Sequence, residues 1–485
     1  MRPQQSTFAA LGLAGSALVA LAAPRALSDP VVRWWYSPGL GVGRDAAVWI
    51  VYAGMAIMCA AWLGLGRSLP CARALVAIAV LWTAPLAVAP PLFSRDVYSY
   101  LAQGTILHLG HNPYHTAPAA LAALGRPRVL AAVSPFWRST TAPYGPLFLG
   151  VISLIAGWTG SHLVAGVLLV RALELLGLAL LALALPALAR AMGSDGARAL
   201  WLVLLGPLTL LALVAPAHND LLMAGLEAVG LACALAGLPL LGVALCALAA
   251  TVKLPALAGA AFIAVAWLRA ERGRGARVGL ALGSLGLVAG VLGTVTLATG
   301  VGSAWVSSSL FSTPARVRLA ITPATAVGYT AAWLLRGLGV AVNGRALEGV
   351  LAVVAAAAAA AAGAALLWRV RPVTVARSLA IFLMLAAVCG PAAWPWYLIW
   401  GLVALAATRP GQRGWALPCA LAAASLLVKP DGILALPLGF APAVLAVYLV
   451  AAALVARAAT RRAGVPRSAP TAGQDALNAH AGGLA

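Results

Sequence analysis

The sequence predicts an all-α polytopic membrane protein: a bundle of about fourteen transmembrane helices with a large outer loop that carries juxtamembrane helices. Three observations carry that prediction. Hydrophobic residues make up 63% of the 485 and charged residues only 9%, with a mean hydropathy of +0.98. A soluble globular chain carries roughly 25% charge, so that class is excluded. Apolar runs long enough to cross about 30 Å of hydrocarbon recur along nearly the whole chain. They are continuous rather than alternating, which excludes a transmembrane β-barrel. The arginines fall in short gaps between these runs, in a pattern that one topology accounts for.

Those gaps hold Arg67 and Arg73, then Arg190 and Arg198, then Arg269, Arg272, Arg274 and Arg277. Arg369, Arg371 and Arg377 follow, then Arg409 and Arg413, and Arg457, Arg461, Arg462 and Arg467 near the end. Placing all of them inside predicts spans near 7–23, 46–66, 74–92, 161–189, 199–216, 221–237, 238–252, 254–268, 278–300, 347–368, 373–390, 395–408, 415–429 and 434–456. Both termini are then cytoplasmic, in a cell-membrane protein. The run from Phe8 to Ala23 reads as a first anchor rather than a cleaved signal peptide, because so many spans follow. The segment 144–158 would reach only about 22 Å as a helix, so it is laid along the outer surface, as is 321–338. Residues 1–462 then form one transmembrane domain, and 463–485 an Ala/Gly/Pro-rich, disordered cytoplasmic tail.

A formal charge of +21, from 32 Lys and Arg against 11 Asp and Glu, raises nucleic acid as a partner. Basic residues confined to short loops between apolar helices are out of reach of a duplex, so membrane topology is the better reading. The six cysteines lie in or beside apolar runs, with no zinc spacing and no disulfide framework.

The polar chemistry gathers in the loop 93–160. A helix from Ser94 as N-cap to about Leu109, stopped by Gly110 and Asn112-Pro113, puts Asp96 in its first turn. Tyr100 and Gln103 follow on the same face. On position alone Asp96 reads equally as a capping acid paired with Arg95 and as a catalytic one. The distribution of acids decides more. Asp29, Asp45, Asp96, Asp220, Glu348 and Asp431 fall outside, and Asp195, Glu271 and Asp475 inside. Glu174 and Glu227 lie within spans, and Arg171 one turn from Glu174 predicts a self-neutralising ion pair. A chemical site therefore belongs at the outer surface.

Further polar clusters lie on that side. His218-Asn219-Asp220 occupies a tight turn, where turn formation alone also accounts for Asn and Asp. Lys253 sits at the apex of two short spans, placed either to snorkel or to hold a lipid phosphate. Arg316 and Arg318 add two cations in a Ser/Thr-rich loop. Trp394, Trp396, Tyr397 and Trp400 fit an interfacial belt or a sugar-stacking wall. His108, His111 and His115 are separated by Gly110 and Pro113 and cannot share one helical face, so no metal site is expected. There is neither a P-loop nor a dinucleotide fingerprint, so a sugar donor would arrive on a lipid.

The segments SRDVYSYLAQG, GHNPY, APYGPL, HND, VKLP and PWYLIW together resemble the GT-C superfamily of lipid-linked glycosyltransferases. They resemble more closely still the actinobacterial polyprenol-phosphomannose-dependent α-(1→6)-mannosyltransferases of lipomannan biosynthesis. The matching motifs cover roughly positions 90–260 and 390–400. The resemblance implies a polyprenyl-phosphate mannose donor, a glycolipid or mannan acceptor, inverting transfer at the outer face, and no nucleic acid. It implies Asp96 as general base, with Lys253, Arg316 and Arg318 holding the donor phosphate. Tyr100, Asn112, Tyr114, Tyr144, His218, Asn219, Asp220, Trp394, Trp396 and Tyr397 would bind the sugar and acceptor. Paired acids, found in some relatives, are absent from the loop, which speaks against a divalent metal; no cofactor is expected. Two alternatives stand beside this reading: the same machinery moving another lipid-linked sugar, and a transporter or lipid flippase. A transporter predicts repeated halves and mid-membrane ionisable residues; no clear half-to-half similarity is found, and most acids lie at the outer surface.

Overall fold

The structure, a computed structural model, describes residues 1–28, 31–35, 40–309, 322–390, 393–409, 415–431 and 438–463. Asp29, Arg316, Arg318, Arg413 and the tail from 464 lie outside them. The described chain is helical throughout, with no strand. Helices α1 (Pro3–Ala26), α2 (Arg44–Arg67) and α3 (Ala72–Val88) lead to a connecting region. That region holds α4 (Asp96–His108), the single turns of α5 (Pro127–Ala132), and α6 (Pro146–Thr159). Next come α7 (Leu163–Ala191), α8 (Gly196–Val203) and α9 (Pro207–Val214), then α10 (Asp220–Leu235), α11 (Pro239–Ala250) and α12 (Leu257–Ala270). The remainder comprises α13 (Arg274–Thr299), α14 (Ala304–Ser307), α15 (Pro323–Gly337), α16 (Gly344–Arg369), α17 (Val375–Cys389), α18 (Leu398–Ala406), α19 (Ala416–Leu426) and α20 (Ala441–Ala463).

Helix is found in each of the fourteen predicted apolar stretches. By length and composition, six of these helices are able to cross a membrane: α1, α2, α7, α13, α16 and the 372–389 helix. The pair α8 and α9, bent by 42°, would make a seventh. Apart from α20, which has 23 residues but is apolar over Ala441–Val450, the other apolar helices, from the 9 residues of α18 to the 17 of α3, are shorter than about 20 residues, the length that spans hydrocarbon unaided. Helix length alone thus supports six or seven of the fourteen. Exposure agrees with lipid contact for α13 and α16, which present Leu282, Leu285, Val353 and Val354 outward.

The main core is a contiguous cluster running from α1 to α19, and a second, small one joins α15 to α20 through Ala326 and Ala441. Its pairings include α1 on α2, α7 on α10, and α4 on α6. Trp62 and Trp201 lock α2 to α8: the rings stack at 4.9 Å, and each indole N–H donates to the other residue's carbonyl at 2.8 Å. The predicted surface helix over 144–158 is α6, buried through Phe148, Leu149 and Ile152 but exposing Leu154 and Trp158. A helix with one such bare apolar edge suits a membrane interface.

Two sequence expectations need correction. Arg171 and Glu174 form no ion pair; both are buried and each engages backbone instead. Orphan carbonyls and amides at helix ends are costly to leave unbonded away from water, and they outcompete a pairing within one helix. Ser94 is not the N-cap of α4. That place falls to Arg95, while the Ser94 hydroxyl accepts the Asp96 N–H at 3.1 Å, a local serine turn that begins the helix one residue later.

Candidate active site

Helix α4 begins at Asp96 because the Ser94 turn sets up its first amide and Gly110, at φ +81°, ends it. The His111 amide reaching the Ile106 carbonyl and the Gly110 amide reaching that of Leu107 complete a Schellman closure. The turn after α9 delivers His218, and α10 begins at Asp220 with Asn219 as its cap. Two non-glycine residues among those described adopt positive φ: Phe93 at +67° and Ala217 at +58°. Each stands just ahead of a site residue, where tertiary contacts hold a backbone shape that L-residues seldom take.

These turns bring residues 96, 218, 220 and 253 together. His218 Nε2 lies 3.5 Å from Asp96 Oδ2. Lys253 Nζ donates to both oxygens of Asp220, at 2.8 and 2.9 Å, and the Trp400 indole N–H donates to Oδ1 at 2.6 Å. Lys253 also stands 4.6 Å from the Tyr397 ring centroid and 5.4 Å from that of Trp400, two rings stacked 4.3 Å apart. Three hydrogen bonds from two donor groups occupy Asp220, which marks it as the anchor of Lys253. One of the three ammonium N–H groups remains for a ligand.

Burial pushes the Asp96 carboxyl up, but His218 and Lys253 nearby, together with the Ser94 hydroxyl, bring it below its ordinary value. Its side chain keeps 18% exposure, so the carboxylate is reachable. Desolvation, and after it the charge of Asp96, holds the Tyr144 hydroxyl well above its ordinary value, so it stays a proton donor. The side-chain amide of Asn219 and the Nδ1 of His218 are buried with no hydrogen-bond partner among the described residues. Buried polar groups left open in this way cost about 1–3 kcal/mol each and are expected where a ligand completes the bonding.

The aromatic residues divide. Trp394, Trp396 and Trp400 are buried, so they are not a lipid-facing belt; among the described residues Trp49, Trp158, Trp333, Trp368 and Trp415 are the exposed ones. Trp396 packs 4.6 Å from the His218 ring and stacks on Trp394 at 4.7 Å. Tyr100 meets Tyr144 and Phe148 edge to face, at 4.8 and 5.0 Å. Asn112 and Tyr114, expected to touch sugar, also fasten the loop. Asn112 accepts the Tyr114 amide and donates to the Val301 carbonyl, and the Tyr114 hydroxyl donates to the Tyr144 carbonyl at 2.6 Å. Gly145 lies so close to the Thr251 carbonyl that a Cβ there would collide, and its N–H donates to Val252, tying this loop to the approach of Lys253. Arg316 and Arg318 fall outside the described residues. Among the described residues, no three His, Cys, Asp or Glu gather as a metal site would need.

Arg171, read as half of an ion pair, holds the ends of α3 and α9 that lead to Asp96 and His218, which sequence reasoning missed. Its partners are backbone carbonyls, which leave no mark in a sequence.

The alpha-(1->6)-mannopyranosyltransferase N-terminal domain profile matches residues 7–269, and the MptB C-terminal domain profile matches 324–461. Alpha-(1->6)-mannopyranosyltransferase A of Mycobacterium tuberculosis is 34% identical over 444 residues, covering 87% of this chain and 84% of that protein. A probable alpha-(1->6)-mannopyranosyltransferase of Mycolicibacterium smegmatis is 34% identical over 83% of this chain and 79% of its own length. Alpha-(1->6)-mannopyranosyltransferase B of Corynebacterium glutamicum is 30% identical over 67% of this chain and 57% of its own length. No solved structure matches the chain. With more than half of its length matched by the N-terminal profile, and a relative 34% identical across most of both chains, the chain belongs to the alpha-(1->6)-mannopyranosyltransferase family.

Proposed function

We propose that the protein is an integral-membrane mannosyltransferase that moves mannose from polyprenyl-phosphate mannose to a mannan or glycolipid acceptor, forming an α-(1→6) linkage at the outer face. Family membership supports mannosyl transfer. One observation supports the mechanism: Asp96 beside His218, next to a Lys253 held by Asp220 and a stacked aromatic pair.

The acceptor hydroxyl attacks the anomeric carbon from the face opposite the phosphate, inverting it. The Asp96 carboxylate takes the hydroxyl proton as the new C–O bond forms. The bond from the anomeric carbon to the phosphate oxygen breaks, and its electron pair leaves on the lipid phosphate. Positive charge develops on the sugar during this passage, and a carboxylate alongside stabilises it. The departing phosphate is already anionic and needs a cation rather than an acid, which suits the remaining N–H of Lys253. Arg316 and Arg318 are proposed as further phosphate cations. His218 and Asn219 bind the acceptor, while Tyr100, Tyr144 and the Trp394, Trp396 and Tyr397 rings wall the sugar. Because Asp220 is occupied by Lys253 and Trp400, Asp96 is left as the free carboxylate among these residues, and the reaction is proposed to proceed without a metal ion. Both termini are placed in the cytoplasm, with the connection between α3 and α7 outside.

Membranes holding the protein, given labelled polyprenyl-phosphate mannose and a short α-(1→6)-mannoside, should elongate the acceptor. A panel of polyprenyl-phosphate sugars and nucleotide sugars run in parallel should show transfer only from the lipid-linked mannose. Consumption of GDP-mannose, or transfer by Asp96→Asn at the parental rate, would overturn the proposal.

A further inference from the structure

Helix α7 carries two buried polar side chains one turn apart, and both reach out to the backbone that delivers the site. Arg171 Nη1 donates to the Ala87 and Ala89 carbonyls at 2.8 and 2.9 Å, at the end of α3. Its Nε and Nη2 donate to Val214 and Ala215, at 3.2 and 2.6 Å, at the end of α9. The final carbonyls of a helix have no partner within it, and a guanidinium offers five N–H groups in a rigid fork. One side chain thus closes two helices. The α3 end runs through 89–95 to Asp96; the α9 end runs through 216–217 to His218. The Trp35 ring lies 6.0 Å from the guanidinium. Glu174 Oε2 accepts the Leu222 N–H at 3.0 Å and so caps α10, the helix that begins at Asp220, from outside. Gly177 and Gly225 let α7 and α10 approach closely enough for that reach.

We propose that Arg171, with Glu174, is a positioning residue that sets the Asp96–His218 contact and the seat of Asp220 without touching substrate. This rests on the reading of Asp96 as the base. Asp96 faces His218 and Lys253, and its charge is felt by Tyr100, Tyr144 and Tyr397. Of these, His218 alone follows directly on a segment that Arg171 holds.

The test uses the full chain in nanodiscs, with kcat, donor KM, the pH–rate profile and thermal unfolding measured together. A lysine keeps the charge but not the fork. Arg171→Lys should lower kcat by about 10²-fold, the scale of a small misplacement of reacting groups. Donor KM should stay within about twofold, since Lys253 is not tethered to Arg171. The acid limb should move to higher pH, because Asp96 loses the neighbour that lowers it. Loss of kcat only in proportion to unfolded protein, with the limb unmoved, overturns the inference. Should Arg171→Lys fail to accumulate, Glu174 carries the test. Glu174→Leu removes the acceptor for Leu222 and should lower kcat, while Glu174→Gln, whose amide oxygen can still accept, should restore it; equal rates in both overturn the inference. Asp96→Asn run alongside separates the two failures. An active Asp96→Asn sinks the base assignment, whereas an inactive one with an unmoved Arg171→Lys profile sinks the positioning role alone.

Discussion

Asp96 sits between two influences of opposite sign: burial that favours its neutral form, and His218, Lys253 and Ser94 that favour the carboxylate and prevail. A group whose value is lowered stays ionised as pH falls. The acid limb of transfer should therefore lie below the ordinary carboxylate value of about 3.9, and His218→Ala should move it upward; a limb unmoved in that variant would detach His218 from the base. Asp96→Asn should cost about 10³-fold in kcat, in the range of general-base loss, read in the labelled-mannose assay. Asp220 and Lys253 act as one unit, so Asp220→Asn and Lys253→Ala should each destabilise the protein by about 3–5 kcal/mol, as a broken buried pair does. The double variant should cost less than their sum. Thermal unfolding in detergent checks it, and strict additivity would show that the contact carries no coupling. Asp96 and Lys253 were readable as candidates because an acid in a helix's first turn and a lysine between apolar runs are local features. The pairing of Lys253 with Asp220 was not, since 33 positions separate them.

At the scale of elements, close backbone approach positions the chemistry. The 142–147 segment lies against 251–252 through the Gly145 and Leu147 amides and the Thr251 and Val252 carbonyls. Gly145→Ala would push these apart and move Lys253, so donor KM should rise several-fold, measured by titrating labelled donor at saturating acceptor. The α7–α10 crossing is equally close at Gly225, whose added Cβ would meet the Gly177 carbonyl. Gly225→Val should destabilise by about 1–3 kcal/mol, the usual cost of overpacking, seen as a lower unfolding midpoint. Helix α4 was legible to within one residue at each end, because Ser94, Gly110 and Pro113 are strong local signals. The fastening roles of Asn112 and Tyr114 were hidden, since their partners Val301 and Tyr144 come from elsewhere in the chain.

At the scale of the whole molecule, α1, α2, α7 and the bent pair α8–α9 share one core with the shorter helices, while α13 and α16 stay mostly exposed. Topology is the prediction that belongs here. Ala123 is exposed in the connection between α4 and α6. Ala123→Cys, with the exposed Cys71 and Cys419 changed to Ser, should react with an impermeant maleimide in intact cells. Reaction only after lysis would put that connection in the cytoplasm and move the proposed chemistry with it.

Hydropathy and local signals were enough, by themselves, to determine an all-helical membrane chain, a polar connection rich in candidate site residues, and the family motifs. These properties depend on composition and on neighbours a few positions apart. The meeting of Asp96 with His218, the capture of Asp220 by Lys253 and Trp400, and the grip of Arg171 on two helix ends were decided by tertiary structure alone. Their partners lie 33 to 180 positions apart or are backbone carbonyls. A carbonyl is the same in every residue, so only the packing of helices can say which ones are left for a buried guanidinium to hold.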